Sequence, residues 1–452
     1  MAAPLLDRLL LPLRLARARA RESFHPEDRL GQPLYVEEFD LGFPHGEAAY
    51  NAMGQAADGT IWFAVSTKCL EAGARLFALE PGASSPRTVA DLDDAFATEG
   101  IRAIPQGKVH VDLIPFGEAM LGATHIGYYD PRARVERPGA ARGYAPYAGG
   151  WFFAIEPDRI EPGRIVPGRI VPLAQAPAGE GIVTMSADVQ RRRLFALTWP
   201  GGLLLSLDLD TRLLRNHGPA MGAGETGSRR DGSWSRICRS LAVDPATGTV
   251  FWSDDAGRVS RFDGSSMEVV SSTPGGEMWR KMLWHPATRA FYGLLRLSST
   301  LVRFDPATLL CEKIGTLDMY GTPATLAFTF DPDAAALHAL VAGPGVLRDR
   351  QLQLAGSVSY VTFDLSTGRM RDSGPLRLAD GRWITQSQSL LVSGGTAYAL
   401  CWVEVPRGDR SARARELRRL RRHTPEYRTR GYAEEMMLVR FPRTVSPRRE
   451  GA

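Results

Sequence analysis

Short apolar runs rich in Val, Ile, Leu, Phe, Tyr and Trp recur along almost the whole chain. Each is broken by Gly, Pro, Asp, Ser or Thr, and this punctuation predicts strands and turns. One unit repeats: an apolar strand end, an acid, then a turn. It appears as Phe77-Ala78-Leu79-Glu80-Pro81, Phe153-Ala154-Ile155-Glu156-Pro157, Leu205-Ser206-Leu207-Asp208, Ser260-Arg261-Phe262-Asp263-Gly264, Val302-Arg303-Phe304-Asp305-Pro306 and Val361-Thr362-Phe363-Asp364. Leu438-Val439-Arg440-Phe441-Pro442 repeats it without the acid. Successive acids stand 42 to 76 residues apart, which is the period of propeller blades.

The clearest unit runs from Ser240 to Ser272. Leu241-Ala242-Val243 leads into a Pro- and Gly-containing turn, and Val250-Phe251-Trp252-Ser253, Val259-Ser260-Arg261-Phe262 and Glu268-Val269-Val270 follow as three further strands. The last unit ends at Phe441 with no fourth strand of its own, while Leu34-Tyr35-Val36-Glu37-Glu38-Phe39 is a lone strand near the start. Pairing the two removes a pair of open sheet edges. The pattern therefore predicts an all-β fold, a seven-bladed β-propeller over residues 33–442 closed by the N-terminal strand.

Two short stretches carry a family resemblance. Asp58-Gly59-Thr60-Ile61-Trp62-Phe63 resembles the D-G-x-x-W-F strand of streptogramin lyase-type propellers, and Gly248-Thr249-Val250-Phe251-Trp252-Ser253-Asp254 resembles the strand that names the YWTD propellers. Both sets of residues shape blades, and propellers host many unrelated functions, so the resemblance implies fold more than activity.

Charge changes the picture of the surface. The formal charge is +5, but residues 1–22, 407–430 and 443–452 contribute +3, +7 and +2, leaving about −7 on the body. Nucleic acid is thus not expected as a partner. Residues 1–32 are expected to form an amphipathic extension, with Leu5, Leu6, Leu9, Leu10 and Leu13 among Arg8, Arg14, Arg17, Arg19 and Arg21. The 407–430 segment is expected as a solvated basic helix inserted in the last blade, and 443–452 as a disordered tail. Either basic appendage offers a contact for a protein partner or a membrane surface. No apolar run is long enough to span a bilayer, and Cys69, Cys238, Cys311 and Cys401 lack metal or disulfide spacing. They read as buried thiols, and the expected location is cytoplasmic, peripheral to the membrane if the appendages bind it.

Candidate chemistry lies where first strands begin and second strands end, because those loops converge on the central channel of a propeller. Lys108, Arg239, Arg280 and Lys281 are the candidate catalytic residues there, with Asn51, Trp199, Arg236, Arg296 and Trp402 as candidate substrate contacts. His110 and His125 stand on neighbouring strands of the second blade, fifteen residues apart, so their imidazoles can share one metal or one substrate. Further ligands must come from across the channel, where the candidates are Gln388, Gln386, Asp255 or a solvent molecule. This arrangement is similar to oligogalacturonate lyases, seven-bladed propellers that hold a divalent metal with histidines and a glutamine. The expectation is a channel that binds an anionic small molecule or acidic sugar, acting as a divalent-metal-assisted lyase or hydrolase. The alternative is a non-catalytic scaffold.

Overall fold

The computed structural model describes residues 33–443 except 98, 131–134, 137–138, 140, 142, 158, 162–163, 167, 221–238, 296–297, 318–324, 332–335, 343–345, 349–352, 356, 407, 423–426 and 428–431. The expectations for residues 1–32 and for the tail beyond Arg443 fall outside them.

The repeating unit becomes a four-stranded antiparallel meander. The first comprises Met53–Gln55, Ile61–Val65, Arg75–Leu79 and Arg87–Asp91. The second comprises Ile114–Phe116, Ala119–Ala123, Trp151–Glu156 and Arg169–Gln175. Three more follow, starting at Gly181–Asp188, Leu241–Val243 and Trp279–His285. Three two-stranded ribbons and one eight-stranded sheet make up the rest of the described strands, and in the eight-stranded sheet two such meanders are joined edge to edge. One runs from Thr325–Phe330 to Met370–Leu378; the other holds Ile384–Ser393, Thr396–Glu404, Glu434–Pro442 and Leu34–Asp40. A run of four-stranded meanders is β-propeller architecture.

Inner strands such as Ile61–Val65 and Arg193–Trp199 are nearly continuous in apolar residues because both their faces are buried. Along Arg193–Trp199, Leu194 and Ala196 pack toward the first two sheets, whereas Phe195 and Leu197 pack toward Val243 and Trp252 of the fourth. Alternation sends successive side chains to opposite neighbours. Each large side chain so buried stabilises by roughly 1.5–3 kcal/mol. The same pattern passes from sheet to sheet, and one cluster joins Leu400, Trp402 and Leu438 near the end of the chain to Met53, Ile61 and Phe63 of the first sheet.

The strand Leu34–Asp40 has two partners. Leu34 to Val36 run parallel to Leu376 to Leu378, and Glu37 to Asp40 run antiparallel to Met437 to Arg440. Glu37 faces Arg440 in that register, and its carboxylate accepts two hydrogen bonds from the guanidinium, at 2.6 and 2.9 Å. Arg382 bonds both Glu38 and Glu435 at 3.2 Å, tying the strand to its sheet from the other side.

The basic insertion does lie between the second and third strands of its meander, as a helix over Ala412–Arg421 capped by the Ser411 hydroxyl. It differs from the solvated helix expected from charge. Ala414 and Leu417 pack with Val405 and Ala433. Arg413 reaches Asp40 and Glu435, and Arg421 bonds the carbonyls of Pro44 and Gly46 and pairs with Glu47. Two of its arginines thus point inward to acids and carbonyls that local sequence does not place beside them. No helix of the described residues is long and apolar enough to cross a membrane. Cys69, Cys311 and Cys401 are free, and burial pushes the Cys401 thiol up to about 12.

Candidate functional site

The segment before Ile114–Phe116 alternates two kinds of residue. Val109, Val111 and Leu113 enter the apolar core, whereas Lys108, His110 and Asp112 stand outside that cluster. Lys108 is the backbone partner of His125, with N–H to carbonyl distances of 3.0 and 2.7 Å. That register brings the imidazoles of His110 and His125 together diagonally, their centroids 4.5 Å apart and their planes at 43°.

Glycines make room for this arrangement. A Cβ on Gly107 would lie 2.3 Å from the Cα of Gly127, so the two backbones pass at a distance only glycine permits. A Cβ on Gly181 would meet His125 Nδ1 at 2.1 Å.

Neighbouring sheets then cover the pair. The Tyr50 ring stands 3.7 Å from the His110 ring, and the Asn51 amide donates to the His110 carbonyl at 3.4 Å. Trp199 approaches His125 edge-on at 5.9 Å, and the Lys108 ammonium lies 5.8 Å from the Tyr50 ring centre. His110 and His125 are only 4% and 1% exposed, and Lys108 is 1% exposed. Trp199 Nε1 is buried and finds no acceptor among the described residues.

Asp112 extends the site across the molecule. Its carboxylate accepts a hydrogen bond at 2.8 Å from the ammonium of Lys281, on the first strand of a sheet 169 residues away. Lys281, a candidate catalytic residue, is therefore engaged with a carboxylate. Arg280 sits next to it, half-buried, and Arg239 is half-buried just before Leu241–Val243, with no hydrogen bond or ion pair among the described residues. Sequence reasoning did not single out Asp112 or Tyr50. Asp112 shares the alternation of Lys108 and His110, a signal open to reading, whereas Tyr50 arrives from another sheet and carries no local signal.

Other expected contacts lie elsewhere. Trp402 belongs to the apolar cluster joining the first and last sheets, and its Nε1 donates to the Glu47 carbonyl at 2.9 Å. It serves as a core cap. Arg236 and Arg296 lie outside the described residues. Gln388 occupies an irregular stretch of Ile384–Ser393, and its buried Oε1 accepts no hydrogen bond among the described residues. No ring or hydrogen-bond contact joins it to the imidazoles.

Among the described residues no cluster of three His, Cys, Asp or Glu side chains assembles, so the set stops at two imidazoles whose faces are covered by each other and by Tyr50. What the arrangement can do is offer cations, indole and imidazole N–H groups to an anion.

Three other histidines, His217, His285 and His338, have structural partners. His217 bonds Ser206 at 2.8 Å, and His285 bonds Thr288 at 3.0 Å. His338 bonds the Tyr360 hydroxyl at 2.6 Å, and burial pushes its pKa down to about 4.

No family profile matches the chain, and no curated protein matches it. Solved structures do. The β-propeller domain of Cps50 (Swd1) from Myceliophteria thermophila is 7% identical, covering 81% of this chain and 96% of that one with a TM-score of 0.48. A protein assigned as a candidate 6-phosphogluconolactonase from Bacteroides uniformis is 14% identical, covering 77% and 92% with a TM-score of 0.47. A chain of a nidogen/laminin complex is 13% identical, covering 56% and 84% with a TM-score of 0.38. Such distant likenesses transfer no activity, and the chain is a β-propeller on the strength of its own sheet topology.

Proposed function

We propose that the chain is a seven-bladed propeller closed into a ring by Leu34–Asp40 and that its channel binds an anionic small molecule or acidic sugar. Closure is supported by the pairing of that strand with Glu434–Pro442 and by the apolar cluster shared between Leu438 and Met53. The observation that carries the binding reading is the convergence of Lys108, His110, His125 and Asp112 on one face, with Lys281 reaching the same face from a distant sheet.

Lys108, Arg239 and Arg280 supply positive charge for a carboxylate, and guanidinium groups recognise it bidentately. The indole N–H of Trp199 supplies a neutral donor, and Asn51 positions the His110 backbone. Asp112 neutralises Lys281, so Lys281 holds the channel wall rather than the ligand. Lyase or hydrolase chemistry on the bound anion falls to the imidazoles, whose ring nitrogens can accept or donate a proton. No metal enters this reading.

The near-complete burial of Lys108, His110 and His125 favours a second reading, in which they are internal packing and the protein is a scaffold. Calorimetric titration with galacturonate, glucuronate and neutral glucose separates the two. The channel reading expects the uronates to bind, glucose not to bind, and Lys108→Met and His110→Ala to abolish uronate binding. Equal behaviour of all three sugars, or unchanged binding by both variants, overturns it.

A further inference from the structure

The histidine pair is sealed more firmly on one side than on the other. On the His125 side, a Cβ on Gly181 would collide with the ring, and Trp199 is buried in an apolar cluster with Tyr147, Val183 and Leu197. On the His110 side the cover is Tyr50, which is half-buried and lies outside any strand. Its ring stands 3.7 Å from the imidazole at 32°, and its hydroxyl makes no hydrogen bond among the described residues. The backbone beside it is fixed. Ala48 exchanges hydrogen bonds with Ser66 at 3.1 and 2.8 Å, Ala52 accepts one from Ala64 at 3.0 Å, and Ala48, Ala49 and Ala52 are buried. That leaves the phenol side chain to move, by rotation about its own bonds.

A ligand that meets Lys108, His110 or His125 must first displace a cover, since all three are almost wholly buried. We infer, on the basis of the proposed channel site, that Tyr50 is this cover and that its ring holds the place taken by the ring of the ligand. The ligand is then an anion built on a single six-membered ring, with its carboxylate attached directly to that ring. Rotation of the phenol uncovers one face of an imidazole and releases the space of one such ring. The Lys108 ammonium lies 5.8 Å from the centre of that space, and a carboxylate on the ring falls between the two. An open-chain acid brings the same charge but no ring face to replace the stacking lost from His110, so uncovering the site is not offset. Tyr50 thereby selects the shape of the ligand, and Lys108 its charge.

The test has two arms, run on the full chain and on Tyr50→Ala, Tyr50→Leu and Tyr50→Phe, each checked for folding by circular dichroism. Tyr50→Leu keeps an apolar contact with the cluster that joins the first and last sheets, and so serves should Tyr50→Ala unfold. In the first arm, labelling of His110 by diethyl pyrocarbonate is followed by peptide mass spectrometry with no ligand added. Tyr50→Ala and Tyr50→Leu are expected to label about 10-fold faster than the wild type, the upper range for loss of one ring–ring contact, and Tyr50→Phe at the wild-type rate. Equal rates in all the proteins overturn Tyr50 as the cover. In the second arm, calorimetry compares glucuronate with gluconate, an acid of the same charge and carbon number with an open chain. The wild type is expected to bind glucuronate about 10-fold more tightly than gluconate, and Tyr50→Ala to bind glucuronate more tightly still, because no ring competes for the site. Equal affinity for the two acids overturns the ring selection. Binding of neither acid overturns the channel site and the ring selection together, whereas the labelling rates still decide whether Tyr50 is the cover.

Discussion

The ion pair between Lys281 and Asp112 gives the sharpest test of the site geometry, because it joins the segment leading into Ile114–Phe116 to the strand Trp279–His285, which is distant along the chain. At the observed 2.8 Å the attraction would reach about 6 kcal/mol with an effective dielectric constant near 20. The Asp112 side chain is 38% exposed, however, while Lys281 is 13% exposed, so water screens the pair from one end. A coupling of about 1–2 kcal/mol remains after that discount, between exposed surface pairs and fully buried ones. Lys281→Met, Asp112→Asn and the double variant complete a thermodynamic cycle with the wild type, read by urea unfolding with midpoint and slope fitted for each protein. Either single variant should cost more than its share of the double, and the difference is the coupling. Additivity within about 0.3 kcal/mol would show that the two side chains do not meet in solution, and the convergence of these sheets on a shared channel would lose its main support. Asp112→Asn should also tighten uronate binding, since it releases the Lys281 ammonium from its carboxylate partner.

Two further outcomes are expected. His338 has its pKa pushed down to about 4 from an ordinary value of 6.5, so the unfolded chain takes up this proton first as pH falls. The stability it contributes is complete above pH 6.5 and is lost between 6.5 and about 4, by as much as about 3 kcal/mol; His338→Gln should remove that component, and parallel pH–stability curves for the two proteins would refute it. Gly181→Ala places a methyl group against His125 Nδ1, so it should destabilise by about 1–3 kcal/mol and shift the imidazole NMR signals of both His125 and His110; undisturbed spectra would contradict the packing described.

Much of the architecture was legible because its signals are local. The acid after an apolar strand end marks a turn: Asp263 accepts from the backbone N–H of Ser265 and Ser266, and Asp305 from that of Ala307. The proximity of His110 and His125 was legible too, as a consequence of hairpin register. Their burial was not, because Tyr50 and Trp199 cover them from other sheets, and no pattern around residues 108–125 encodes those neighbours. The same reason hid the destinations of Arg413 and Arg421. Their charge reads as solvation until Asp40, Glu47 and Glu435 are seen beside them. The parallel pairing of Leu34 to Val36 with Leu376 to Leu378 likewise has no local marker, since any exposed strand edge of suitable length could have served.

That doubly paired strand bears on the order in which the protein is made. Its partners at Leu376–Leu378 and Met437–Arg440 leave the ribosome hundreds of residues after Leu34, so the earliest strand of the fold waits for the latest ones. Contacts of such sequence separation are slow to form, and until they do an apolar edge is exposed to other chains. Nascent protein interrupted after the sixth meander would therefore hold Leu34–Asp40 without its antiparallel mate, and self-association should be most pronounced in that interval.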